Sequence, residues 1–257
     1  MSALFPVAAP ATKDLGRGAI ALFLDVDGTL LDFAQRPDVV VTPPGLVPAL
    51  AAAERRLGGA VALVSGRPLA QLDRLFSPLR LRASGVHGAE MRLEPYGETS
   101  KLTDAVEMPE SLWRDVLSIT QRFPGTIAEN KTFSYAVHFR LAPWSQAPLR
   151  AAIEEAVAAQ PAGSVEIMDA HFALDLQRPG SSKGRAVEAF MATPVFSGRT
   201  PVFLGDDKTD ESGFAMVSSL GGFGYSVAEL LHGAVGVFEK PGDVRDWLSG
   251  FAGSEAV

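Results

Sequence analysis

The stretch Ala19-Ile20-Ala21-Leu22-Phe23-Leu24-Asp25-Val26-Asp27-Gly28-Thr29-Leu30 decides the fold. Six consecutive apolar residues, 19–24, read as a buried strand, and the run stops abruptly on two aspartates with a glycine turn behind them. Residues 45–57 then form an Ala/Leu-rich helix after Pro43-Pro44, 60–64 a strand, 68–75 a helix and 81–86 a strand. This β-α-β-α-β order predicts a parallel sheet covered on both faces by helices.

Near Glu90 the pattern changes. Residues 91–103 read as a hairpin around Tyr96-Gly97, 110–123 as a helix, and 126–140 as two strands with a break between them. A helix over 146–160 and a strand pair, 165–168 and 172–176, about Asp169-Ala170 complete a segment of α+β character. After Gly180 the first rhythm resumes with a helix over 182–191, a strand over 201–204 and a helix from Thr209. A glycine-rich strand near 221–224, a strand at 235–238 and a helix from Asp243 follow. The fold class is therefore α/β: a doubly wound, Rossmann-like parallel-sheet core of residues 1–90 and 180–257, interrupted by an inserted α+β cap of residues 91–179.

Composition narrows the function. The 257 residues carry 23 Lys+Arg against 30 Asp+Glu, a net charge of −7, with four His and no Cys. A chain of this length with 47% hydrophobic residues can bury a large core. The absence of Cys excludes disulfide scaffolds, thiol catalysis and Cys-based zinc sites, and fits a reducing compartment. An acidic balance gives no general attraction for nucleic acid or an anionic membrane, so neither is expected as a partner. No apolar run reaches the roughly 18 residues a bilayer span needs. With no Lys or Arg before Lys13, and with Pro6 and Pro10, the N-terminus does not read as a signal peptide. A soluble cytoplasmic protein with a short disordered leader is expected, of undetermined oligomeric state.

In open α/β sheets, ligands collect beyond the carboxyl ends of the strands. Asp25 and Asp27 stand at the first such end; a bare Asp-x-Asp there is equally compatible with an ordinary polar strand end turning at Gly28. Ser65-Gly66-Arg67 follows the next strand and offers a hydroxyl and backbone amides at a helix start, a suitable cradle for phosphate. Ser182 can cap a helix, but Lys183 then lies in the first turn, where the helix dipole disfavours a cation unless an anion sits before it. Gly205-Asp206-Asp207-Lys208-Thr209-Asp210-Glu211 follows another strand; Thr209 can cap the next helix, which explains Asp210 and Glu211 but not Asp206. If Asp25, Asp27 and Asp206 converge, each like-charge pair costs about 4 kcal/mol at about 4 Å and an effective dielectric of about 20, and a bound cation resolves that. An all-oxygen set selects a hard ion, with Mg²⁺ the natural choice beside phosphate.

Asp25-x-Asp27-Gly28-Thr29, Ser65, Lys183 and Gly205-Asp206-Asp207-x-Thr209-Asp210 resemble, in order, the four motifs of the haloacid-dehalogenase-type phosphatases. More narrowly, SGR at 65–67, GVHGAE at 85–90, Glu129-x-Lys131 followed by His138-Phe139-Arg140, SSKG at 181–184 and GRTPVFLGDDKTDESGF at 198–214 resemble the bacterial trehalose-6-phosphate phosphatases. The resemblance runs from about Ala19 to Trp247.

The resemblance implies an Mg²⁺-dependent hydrolysis in which Asp25 attacks phosphorus and Asp27 protonates the departing sugar oxygen, then activates water. Ser65 and Lys183 would hold the phosphoryl group. The metal ligands it implies are the Asp25 carboxylate, the Asp27 backbone carbonyl and Asp206, with Asp210 behind them orienting Lys183 or a metal-bound water. A phosphosugar is the implied partner, met by Glu129, Lys131, Arg140 and His138 in the cap and by Arg67. Glu129 and Lys131 share one strand parity and His138 and Arg140 the other, so the two pairs converge only from neighbouring strands joined by a turn near 130–132. Family members carry Glu followed closely by Pro where this chain has Asp175-Leu176-Gln177-Arg178-Pro179; Asp175 is one methylene shorter and Pro179 one place late. Asp175 is retained as a candidate for a sugar hydroxyl, and His87 either lines the cleft or satisfies a turn. His171 and His232 have no motif around them. Two alternatives stand beside trehalose 6-phosphate hydrolysis: a phosphatase for another phosphosugar, such as sucrose 6-phosphate or a phosphoglycerate glycoside, and a non-catalytic phospho-acceptor or phosphosugar sensor.

Overall fold

A computed structural model describes residues 19–34, 39–101 and 106–252, with Ala9 and Ala11; the rest of the expected leader lies outside the described residues. In chain order the elements are β1 (Ile20–Leu24), α1 (Leu46–Arg56), β2 (Val61–Val64), α2 (Leu69–Leu75), β3 (Arg82–Gly85), β4 (Glu90–Arg92) and β5 (Ser100–Lys101). Next come α3 (Glu110–Arg122), β6 (Ile127–Asn130), β7 (Ser134–His138), α4 (Gln146–Ala158), β8 (Glu166–Ala170) and β9 (Ala173–Gln177). The chain ends with α5 (Lys183–Met191), β10 (Thr200–Gly205), α6 (Glu211–Ser219), β11 (Phe223–Val227), β12 (Gly236–Phe238) and α7 (Pro241–Ser249). It divides into two compact units, one of 1–34, 40–100 and 182–257 and the other of 35–39 and 101–181. No helix among the described residues is long and apolar enough to cross a membrane.

The first unit is built on a sheet of order β12-β11-β10-β1-β2-β3-β4-β5, parallel from β12 to β3, with β4 antiparallel to β3. The chain leaves β1 toward β2 and β3 and later returns on the opposite side of β1 at β10. That reversal opens a crevice at the carboxyl ends of β1 and β10. Leu24 is in register with both Leu204 and Leu63, so Asp25 stands level with Gly205 and beside the end of β2. Alternation in β1 sends Leu22 and Leu24 into a layer with Leu50 and Ala53 of α1 and Leu248 of α7. Phe23 points the other way and stacks on Phe196 at 5.4 Å between ring centres, next to Phe190.

The second unit is a four-stranded antiparallel sheet of order β6-β7-β9-β8. Tyr135 and Val137 of β7 and Leu174 and Leu176 of β9 pack with Leu112 and Val116 of α3 and Leu149 and Ile153 of α4. The alternate residues, including Glu129, His138 and Asp175, lie on the face away from that cluster.

Several boundaries differ from expectation. Residues 91–103 were expected to open the cap, but β4 pairs with β3 and belongs to the large sheet, so the inserted stretch of the second unit runs from 101 to 181. The expected hairpin itself forms, with β5 beside β4; what its local pattern does not reveal is the third strand, β3, on the other side of β4, which tertiary packing sets. The glycines at 221 and 222 precede β11 rather than form it. Gly221 adopts a φ of +76°, and a Cβ on Gly222 would lie 2.0 Å from the Pro201 carbonyl oxygen. The last helix begins at Pro241, whose fixed φ and missing N–H suit a first helical turn.

Arg92 anchors β4: it is almost fully buried, donates to the Leu81 carbonyl at 2.9 Å and pairs with Asp73 at 2.8 Å. Replacing it by Met keeps the bulk but leaves the carbonyl and carboxylate without that donor. Arg92→Met is expected to cost about 1–3 kcal/mol, read as a lower urea midpoint at unchanged slope.

Candidate active site

The carboxyl ends of β1 and β10 and the first turn of α5 meet at Lys183. Its ammonium is buried and donates to Asp25 Oδ1 and Asp210 Oδ1, each at 2.6 Å. Ser182 is the helix cap, accepting from the Arg185 amide at 3.2 Å, and the anion that its neighbour Lys183 requires is Asp25 together with Asp210. Asp210 is engaged on its other oxygen too, accepting the amides of Asp206 and Asp207 at 3.1 and 3.0 Å. Asp207, not Thr209, caps the turn that precedes α6, in a reciprocal box with Asp210. The expected role of Thr209 passes to Asp207 because an extended Asp207 precedes the turn, whereas Thr209 is already inside it.

The carboxylate oxygens of Asp25, Asp206 and Asp210 lie within 4.8 Å of one another. Burial, with the charges of Asp25 and Asp210 beside it, pushes the Asp206 carboxyl up to about 10. Burial, partly offset by Lys183, raises Asp25 to about 6. Lys183 is raised as well, because Asp210 and Asp25 together outweigh the effect of burial, which acts downward. A hard cation fits this donor set. Asp206 needs either a proton or a cation, and Asp25 offers a second carboxylate, whereas Asp210 is committed to Lys183 and two amides. Gly28 makes the approach possible: its φ is +80°, and a Cβ there would lie 2.1 Å from Asp206 Oδ2.

Asp27 is placed apart from this cluster. The Arg67 guanidinium takes both of its oxygens, Nε at 2.6 Å and Nη2 at 2.7 Å, and Nη1 of Arg67 donates to Gln71 at 3.1 Å. Ser65 Oγ accepts the Arg67 amide at 3.1 Å. The GVHGAE segment clips this loop through its backbone, with Val86 N–H donating to the Arg67 carbonyl and His87 N–H to that of Ser65, each at 3.1 Å. Val86 and His87 both have positive φ, 47° and 52°, and the His87 ring fills the space a Cβ on Gly66 would need. His87 is thus buried against the Ser65-Gly66-Arg67 loop. Glu90 completes the clip by accepting the Leu69 amide at 2.8 Å at the start of α2.

In the second unit the remaining candidates pair with each other. Glu129 and His138 lie on β6 and β7, as their parity required, 3.0 Å apart. Lys131 sits in the turn between those strands and reaches Asp175 Oδ1 at 3.3 Å, both residues buried. Glu129, Ala136 and Asp175 are in register across β6, β7 and β9, so the two carboxylates flank a small residue on one face. Arg140 is held differently, its guanidinium 5.2 Å from the centre of the Phe172 ring.

Comparison with known proteins places these residues in a family. The profile described as trehalose-phosphatase matches residues 23–236, a span that contains every candidate named above. The chain belongs to the trehalose-phosphatase family. A probable trehalose-phosphate phosphatase of Sinorhizobium fredii is 40% identical over 203 residues, 79% of this chain and 75% of that protein. The trehalose-6-phosphate phosphatase of Escherichia coli is 36% identical over 232 residues, 89% and 85% of the two chains. The C-terminal domain of a trehalose-6-phosphate phosphatase from C. albicans shares the fold, with a TM-score of 0.81 over 93% of this chain and 94% of that one at 20% identity.

Within this family member, four side chains at the site were not singled out from sequence. Thr29 donates to Asp206 Oδ1 at 3.3 Å, Gln71 steadies Arg67, Glu90 holds α2, and Asp207 caps the turn before α6. Thr29, Glu90 and Asp207 stood inside quoted motifs. The spacing of Arg67 and Gln71, four residues apart at a helix start, was the available signal for the fourth.

The raised Asp206 value has a sign. A carboxyl at about 10 when folded, against its ordinary 3.8, binds its proton more tightly in the native state. The stability that this carboxyl contributes to the metal-free protein is therefore lost as pH rises from 3.8 toward 10. Binding a dication must expel that proton, so the rise in melting temperature produced by Mg²⁺ is expected to grow between about pH 6 and pH 8. Asp206→Asn should melt higher than the parent in EDTA at the upper pH and respond little to Mg²⁺. Thermal melts with and without the ion check both outcomes.

Proposed function

We propose that this chain hydrolyses trehalose 6-phosphate to trehalose and phosphate through an aspartyl-phosphate on Asp25, with Mg²⁺ as cofactor. The observation that carries the reading is the family match over 23–236, which spans the Lys183 cluster and the polar face of the four-stranded sheet together. Asp25, Asp206 and the Asp27 backbone carbonyl would hold the ion. When bound, Mg²⁺ supplies positive charge to the phosphoryl oxygens and offsets repulsion between phosphate and carboxylate.

Asp25 presents one oxygen to Lys183 and attacks with the other. A bond forms from Asp25 to phosphorus as the bond from phosphorus to the sugar oxygen breaks, and Asp27, protonated, gives its proton to that oxygen. Water then attacks phosphorus, the acyl-phosphate bond breaks, and Asp27 takes a proton from the water. Both oxygens of Asp27 are held by Arg67 here, so the acid–base role requires that fork to release at least one of them. Ser65 and Lys183 line the phosphate position, and Asp210 keeps Lys183 aimed at Asp25. The second unit supplies substrate choice, with Glu129, Lys131, His138, Arg140 and Asp175 meeting sugar hydroxyls. The lack of cysteine supports a reducing, cytoplasmic setting.

Phosphate release with Mg²⁺ across trehalose 6-phosphate, sucrose 6-phosphate and glucose 6-phosphate tests the substrate, with kcat/KM highest on the first. Asp25→Asn, a near-isosteric poor nucleophile, is expected to lower turnover on the order of a thousandfold or more while melting as the parent does. Undiminished turnover by that variant overturns the covalent mechanism. Glu129→Ala is expected to lose about tenfold in kcat/KM on trehalose 6-phosphate, the equivalent of one or two hydrogen bonds, and much less on p-nitrophenyl phosphate. An equal loss on both esters removes the recognition role.

A further inference from the structure

We infer that Phe172 is a positioning residue for Arg140, holding its guanidinium in place for the sugar; the inference deepens the substrate reading above and rests on it. Phe172 occupies the turn between β8 and β9 with a φ of +57°, a conformation that glycine or asparagine adopts and a bulky side chain rarely does. Nothing in a two-residue turn between antiparallel strands calls for an aromatic there. The ring is not buried as core filling either, since 39% of Phe172 is exposed.

Apart from His171 beside it in the turn, its described contacts lead to the end of β7. The Phe172 carbonyl accepts the Phe139 amide at 2.9 Å, and the two rings meet edge to face with centres 6.0 Å apart. Phe139 is itself buried in the cluster under α3 and α4, so it fixes the turn to the body of the unit. The Arg140 guanidinium carbon lies 5.2 Å from the Phe172 ring centre. His171 meets the same ring edge to face at 5.0 Å. A guanidinium over an aromatic ring is attracted by the ring's π face, which restrains the side chain without itself consuming an N–H donor. A long, rotamer-rich arginine that must meet hydroxyls gains from being ordered before the substrate arrives. Backbone strain retained at an exposed aromatic is then explained by what the ring orders.

Phe172→Gly and Phe172→Asn both tolerate the positive φ and remove the ring, whereas Phe172→Tyr keeps it. The two ring-less variants are expected to melt at or above the parent temperature and to raise KM for trehalose 6-phosphate about two- to fivefold. Their kcat, and their turnover of p-nitrophenyl phosphate, should stay near the parent values. Phe172→Tyr should restore the parent KM, and Phe172→Gly added to Arg140→Ala should change KM no further. An unchanged KM in both ring-less variants, or an equal loss on both esters, overturns the inference while leaving the substrate reading in place. A parent enzyme that turns over p-nitrophenyl phosphate but not trehalose 6-phosphate overturns both.

Discussion

One buried ammonium organises the site. Lys183 reaches from the first turn of α5 to Asp25 at the end of β1 and to Asp210 beyond β10, and no part of that triad is substantially exposed. Desolvating an ammonium and two carboxylates is expensive unless the geometry is good and the remaining lone pairs are satisfied. Asp210 meets the condition by accepting the amides that follow β10, which fixes the Asp206 loop by the same contact that fixes Lys183. The triad nevertheless holds one cation for two anions, with a third carboxyl, Asp206, beside it. That deficit of positive charge helps burial push the Asp206 carboxyl upward and leaves a set of carboxylates that fits a further cation.

A second constraint acts through backbone rather than charge. Three elements must pass close to one another, and side chains are missing where they do. Gly28 lies against the Asp206 carboxylate, Gly205 against Asp210, and Gly66 under the His87 ring. The strained turn at Val86-His87 donates two amides into the Ser65-Gly66-Arg67 loop, and Arg67 carries that rigidity to Asp27 through two short charge-assisted bonds. The orientation of the second aspartate therefore depends on a turn that contributes no side-chain oxygen or nitrogen to Asp27.

Apolar runs and the motifs at their ends made the parallel core legible, because a strand buried on both faces leaves a continuous hydrophobic signature. The hairpin over 90–101 was legible, since β5 does lie beside β4, but its place was not: β4 also pairs with β3 and so joins the large sheet, a partner the local pattern does not name. At the site, Asp25, Lys183 and Asp206 were readable because each sits at a strand or helix end where local capping does not account for it. Asp207 was hidden behind Thr209, since both are good caps and only backbone geometry chooses between them. The pairing of Arg67 with Asp27 was also hidden, because a motif gives residue types and not the partner each side chain selects. In the second unit, parity alone required Glu129 and His138 to approach from adjacent strands, whereas the role of Phe172 depends on a backbone angle no composition rule reveals.

The shortened carboxylate at Asp175 can be understood from its neighbours. On β9 it stands across from Ala136, which stands in turn across from Glu129 on β6. A small residue between two carboxylates leaves a trough in the sheet surface, floored by a methyl group and walled by acceptors. Asp175 alone would end a methylene short of where a glutamate carboxylate ends, but Lys131 extends toward it from the turn before β7 and bonds it at 3.3 Å. The pair then offers a donor and an acceptor together, as Glu129 and His138 do on the other side at 3.0 Å. A hydroxyl both donates and accepts, so two such mixed pairs suit a polyol better than two lone carboxylates would. Within the Lys131–Asp175 pair each charge is offset by its partner, so neither is an unpaired buried ion. On this account the short side chain and the long lysine act as one unit, and substituting either removes a charge partner from the other.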